Sequence, residues 1–86
     1  MANGRRVGSF ERRQLDIAAD TAADLADRAK ALCTLARRWC SLPADLADQR
    51  RRLIADLYHG RQWRQPRISR ELGIDPAKVS RLLAEA

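Results

Sequence analysis

Residues Pro66 to Ala86 read PRISRELGIDPAKVSRLLAEA, and the fold follows from how this stretch is parsed. It predicts two short helices joined by a tight turn. Ile68 and Leu72 are four apart and share one helical face. Gly73 follows, where a helix end calls for a residue at ease in left-handed backbone. Ile74 plugs the angle between the helices. Asp75 is a good N-cap, and Pro76 suits a first helical position, where no N–H is required. Val79, Leu82 and Leu83 form the second apolar stripe. Small Ser69, four residues before Gly73, leaves room for a steep helix crossing.

These residues resemble the helix-turn-helix of bacterial DNA-binding proteins, in which an apolar residue, a small residue, a turn glycine and a later Val and Leu recur at such offsets. Ile68, Ser69, Gly73, Val79 and Leu82 fill those places. The ending VSRLLAEA, Val79–Ala86, is similar to the DNA-binding segment of DeoR/SorC-type transcriptional regulators, which are much longer and carry an effector domain. The resemblance covers about a quarter of the chain; it implies DNA binding and nothing about a ligand. The plainer alternative is a helical hairpin with a glycine C-cap.

At 86 residues the chain makes one small domain. Its formal charge is +6, from 17 basic and 11 acidic residues. From Arg50 to Arg70 seven arginines face one acid, Asp56, so this segment holds the whole excess. A focused basic surface beside such a motif is what a phosphate backbone attracts; a solvated face is the alternative. No stretch is apolar enough to span a membrane, which predicts a cytoplasmic protein. Cys33 and Cys40 are seven apart, too far along a helix to bridge each other. They read as small buried apolar residues, with an inter-subunit disulfide as the alternative. One histidine, His59, leaves no zinc set, and no cofactor is expected.

In chain order, residues 1–8 are a flexible basic tail, either disordered or a groove-following arm through Arg5 and Arg6. From Phe10 to Cys40 there is neither Gly nor Pro, which predicts one long helix over residues 9–41, about 45 Å in length. Leu15, Ala22, Ala29 and Ala36 alternate with Ala18, Leu25, Leu32 and Trp39 as a heptad seam. That seam predicts a homodimer through this helix; the alternative is a fold-back on the chain's own second helix. Acids (Asp16, Asp20, Asp24, Asp27) lie early and bases (Arg37, Arg38) late, which suits the helix dipole or an antiparallel partner. Ser41-Leu42-Pro43 opens another helix that stops at Gly60 and supplies the third side of the motif. Residues 42–86 thus form a helix-turn-helix unit with Leu53, Leu57, Ile68, Leu72, Ile74, Val79 and Leu82 as its core. Trp63 caps that core or stacks on nucleic acid. The fold class is all-α: a long heptad helix followed by a three-helix unit.

If the motif works as its resemblance implies, the second helix enters the major groove. Val79 and Leu82 point inward, leaving Ala77, Lys78, Ser80 and Arg81 to read bases. Arg81 is the best candidate, since a guanidinium makes two bonds to guanine; Lys78 reaches a base or a phosphate. Arg64, Arg67 and Arg70 are assigned to phosphates, as is Arg51 from the Arg50–Arg52 run, of which at least one residue must be solvated or paired. The expected function is sequence-specific binding of double-stranded DNA as a dimeric repressor acting by promoter occlusion. Alternatives are a helical protein-interaction module, similar to the fourth region of sigma factors, or a phage or plasmid DNA-binding protein for packaging, partition or excision. The chain offers no phosphate loop and no nucleophile–base spacing, so no catalytic residues and no small-molecule ligand are expected.

Overall fold

The computed structural model of the chain describes residues 8–85. The basic tail expected at residues 1–8, with Arg5 and Arg6, therefore lies outside the described residues apart from Gly8. Five α-helices follow one another: α1 (Ser9–Ala19), α2 (Leu25–Trp39), α3 (Ala44–Ala55), α4 (Gln65–Leu72) and α5 (Pro76–Glu85). A π-helical turn over Asp56–Gly60 extends α3. No strand occurs among the described residues, and the chain is all-α.

The expected long helix over residues 9–41 is corrected: it is two helices, α1 and α2, broken at Asp20–Asp24. Two aspartates make the break. Asp20 Oδ1 accepts the Ala22 amide at 2.9 Å, and its carbonyl accepts the Ala23 amide at 3.0 Å. Asp24 then caps α2, its Oδ2 accepting the Ala26 amide at 3.0 Å. Short carboxylates compete with the helical ladder for backbone amides, and here they win. The break lets α1 fold against α2, so their apolar faces cover each other instead of waiting for a second chain. The Ala18 carbonyl at the end of α1 is satisfied by Arg28 Nε at 3.0 Å and Gln49 Nε2 at 2.8 Å. The longest molecular dimension is 40 Å, shorter than the roughly 45 Å rod expected from the rise per residue.

The seam residues are redistributed accordingly. Ala18, Ala29 and Leu32 are buried within one chain, and Leu15, Leu25 and Trp39 pack against the same core half-covered. Ala36 is half-buried and Ala22 is exposed in the turn. On this fold the seam is divided between α1 and α2 and is not one continuous stripe.

Helix α2 is the hub, touching α1, α3 and α4. It inserts Leu32, Cys33 and Leu35 among Ile54, Leu57, Ile68, Leu72 and Val79, all essentially buried. Of the core expected from the sequence, Leu53, Leu57, Ile68, Leu72, Val79 and Leu82 are buried, while Ile74 is half-buried at its margin. The π-turn closes with Arg61 N–H donating to the Asp56 carbonyl at 3.0 Å and Trp63 N–H to the Leu57 carbonyl at 2.9 Å. It ends at Gly60, where the sequence places the stop. The two cysteines part company. Cys33 is buried, and burial pushes its thiol pKa up. Cys40 is exposed rather than buried, and caps α2 in left-handed backbone at φ 65°. Both are free thiols. Among the described residues no helix is long and apolar enough to cross a membrane.

Candidate nucleic-acid interface

Helices α4 and α5 are separated by Gly73, Ile74 and Asp75. Gly73 takes the left-handed conformation, φ 68°, that ends α4. The amides of Gly73 and Ile74 both donate to the Ser69 carbonyl, at 2.9 and 3.1 Å. Ser69 Oγ donates to the Ile74 carbonyl at 2.6 Å, so this serine closes the turn as well as leaving room beside it. Asp75 Oδ1 accepts the Ala77 amide at 2.8 Å, capping α5 ahead of Pro76. From outside, Arg37 of α2 donates to the carbonyls of Leu72 and Gly73 at 3.4 and 3.1 Å. Those are orphan acceptors at a helix end, and a guanidinium suits them in charge and geometry. The turn is thereby tied to the hub helix, a link that no local pattern in the sequence signals.

On α5, Val79 and Leu82 point into the core, and Ala77, Lys78, Ser80 and Arg81 are exposed. These four do not share one direction. Lys78 lies on the flank toward α3, lining a cavity with Arg50, while Glu85 on the same flank reaches Arg51. Ala77, Ser80 and Arg81 lie on the side away from Val79, as about 100° per residue requires. Ser80 Oγ donates to Gln65 Oε1 at 2.6 Å. Gln65, in the first turn of α4, therefore belongs to this surface and was missed from the sequence, because the pair is fifteen residues apart.

The arginines divide into those the fold uses and those it leaves outward. Arg38 pairs with Glu11 at 3.0 Å and lies over the Phe10 ring. Arg61 pairs with Asp24 at 3.1 Å. Arg51 pairs with Asp48 and, at 4.0 Å, with Glu85, bracing α3 against α5, so its assignment to a phosphate gains nothing from the geometry. Arg50 is buried. Arg64, Arg67 and Arg70 stay exposed on and beside α4, and Arg81 on α5. Among the described residues no carboxylate is within ion-pair distance of these four or of Lys78. The Arg67 guanidinium lies 4.0 Å from the Trp63 ring centroid, which orders it at the surface. Trp63 is half-buried against the core and holds Arg67, combining the capping role with a positioning one.

Two carboxylates of the fold-back have pKa values below their ordinary ones. The Ala26 amide and then Arg61 hold Asp24 down. Glu11 is held down by its own backbone amide and by Arg38. Among the described residues no three His, Cys, Asp or Glu side chains converge as a metal site would need.

The geometry defines a small all-helical domain with an outward basic face on its last two helices. No family model, curated protein or solved structure significantly matches the chain.

Proposed function

We propose that the protein binds duplex DNA through α4 and α5, in the manner of a helix-turn-helix, and regulates transcription by occupying its site. The observation that carries this reading is the outward set Arg64, Arg67, Arg70 and Arg81, exposed and without acid partners among the described residues, on or beside two helices joined by a capped turn. Helix α5 lies in the major groove, with Arg81 reading a guanine edge, Ala77 facing a thymine methyl, and Ser80 joined by Gln65. Helix α4 crosses the backbone, where Arg64, Arg67 and Arg70 meet phosphates. Lys78, on the flank, reaches a phosphate rather than a base. The heptad seam is spent inside the chain, so a palindromic site is filled by two chains meeting on the duplex, not by a dimer held along residues 15–39.

The test is a titration of duplex DNA selected from a random pool. The four phosphate contacts of each chain, Lys78 included, predict a log–log salt slope of about −3.6 per bound chain. Arg67→Ala lowers that slope by about one and weakens all sequences alike, whereas Arg81→Ala relaxes preference at one base pair, worth about 1–3 kcal/mol. A flat salt response, with equal effects of the two substitutions, would favour a protein partner and end the DNA reading.

A further inference from the structure

Behind the turn lies a cavity of about 500 Å³ between the end of α2, the start of α3 and the first turn of α5. Three cations line it: Arg37, Arg50 and Lys78. Cys33 lies on its wall; burial pushes the thiol pKa up, and the positive charges of Arg50, Arg37 and Lys78 work against that push. Ala36, Leu42 and Ile74 supply apolar wall. The one acid on the rim, Asp75, already spends an oxygen on the α5 cap.

Arg50 is the anomaly. It is 8% exposed, the one charged side chain in the core among the described residues, and its Nε has no hydrogen-bond partner. No carboxylate among the described residues lies within ion-pair distance of it. A buried guanidinium without an anion is costly, because the charge is desolvated with little in return. Its cationic neighbours add repulsion. Arg37 has structural work at the carbonyls that end α4, but neither Arg50 nor Lys78 is offset by an acid among the described residues.

We propose that this cavity binds a small organic anion, a carboxylate or phosphate head with a compact apolar body, its head among Arg50, Arg37 and Lys78 and its body against Leu42 and Ile74. With Arg50 only 8% exposed, a free small molecule suits the site better than a phosphate fixed on a duplex. The ligand would bridge the hub helix to the turn between α4 and α5. The site stands independently of the DNA reading, since binding is measured on the protein alone.

The experiment is calorimetry and thermal unfolding of the full chain with benzoate, phenyl phosphate and neutral benzyl alcohol. Each anion is expected to bind at least about tenfold more tightly than the alcohol, a difference two charge-assisted contacts readily supply. In amide NMR spectra the shifts concentrate at Cys33, Gly73 and Ile74. Arg50→Met keeps the apolar stem and removes the buried charge. It is expected to unfold at a higher temperature than wild type without ligand, yet to lose anion binding by tenfold or more. Lys78→Gln, at an exposed position, gives the same loss in a smaller degree and keeps the test open should Arg50→Met fail to fold. Equal binding of benzoate and benzyl alcohol, or anion binding untouched in both variants, overturns the proposal. So does a response to any salt that spreads over the whole basic surface. Adding selected duplex DNA to the anion-loaded protein then shows separately whether the two sites communicate.

Discussion

Two residues end helices in left-handed backbone, and chemistry separates them. Gly73 at φ 68° sits there without a Cβ; a Cβ would lie 3.3 Å from Arg37 Nη1, and the backbone itself would be strained. Cys40 at φ 65° carries the penalty that Gly73 avoids. Gly73→Ala is therefore expected to lower stability by about 1–2 kcal/mol, and Cys40→Gly to raise it by about 0.5–1 kcal/mol. Urea unfolding of the two variants reads both signs. Gly73 was legible in the sequence because glycine, Asp75 and Pro76 together spell a stop and a start within four residues. Cys40 was not, because nothing about a cysteine signals a left-handed cap; its spacing from Cys33 instead suggested a shared buried face. Nor was Arg37 legible, since its acceptors lie thirty-five and thirty-six residues away.

The largest departure from the sequence reading is at the level of elements, in the hairpin of α1 and α2. Alternating steps of three and four run through Ala18, Ala22 and Leu25 without a gap, so periodicity alone gives no hint of a bend. The hint lay in Asp20-Thr21-Ala22-Ala23-Asp24, two carboxylates four apart that each prefer a local amide to a helical ladder. Asp24 serves twice, as the cap of α2 and as the partner of Arg61 beyond the π-turn. Its pKa lies below the ordinary 3.8, so its contribution is complete above that value and fades as pH falls through the lowered native one. Asp24→Asn keeps most of the capping oxygen but loses the charge. The variant is expected to melt below wild type at pH 7, with the gap closing toward pH 2. Melting curves across that range check it, and a constant gap would mean that Arg61 contributes nothing through charge.

Taken whole, the molecule is a hub with layers around it. The three-sided unit of α3, α4 and α5 was legible from its stripes, since Leu53, Leu57, Ile68, Leu72, Val79 and Leu82 are all core. Its dependence on α2 was not, because the seam residues were assigned to a second chain. Leu35 makes the difference measurable. It is wholly buried on α2 and lies off the heptad seam. Leu35→Ala is expected to cost about 2–4 kcal/mol in urea unfolding. The wild-type midpoint should not move with protein concentration, as it would for a dimer whose folding and association are linked. A midpoint rising with concentration would return the seam to an intermolecular role.

The bond from Ser80 to Gln65 carries a last consequence. With its only proton engaged by Oε1, Ser80 Oγ keeps lone pairs alone, and the Gln65 amide nitrogen keeps both of its hydrogens. Against a base edge the couple has a polarity: oxygen toward an exocyclic amine, nitrogen toward a ring or keto acceptor. Adenine presents an amine and an acceptor side by side in the major groove, so under the proposed DNA reading the couple would favour that base, and Ser80→Ala would free the glutamine to turn over and tolerate others.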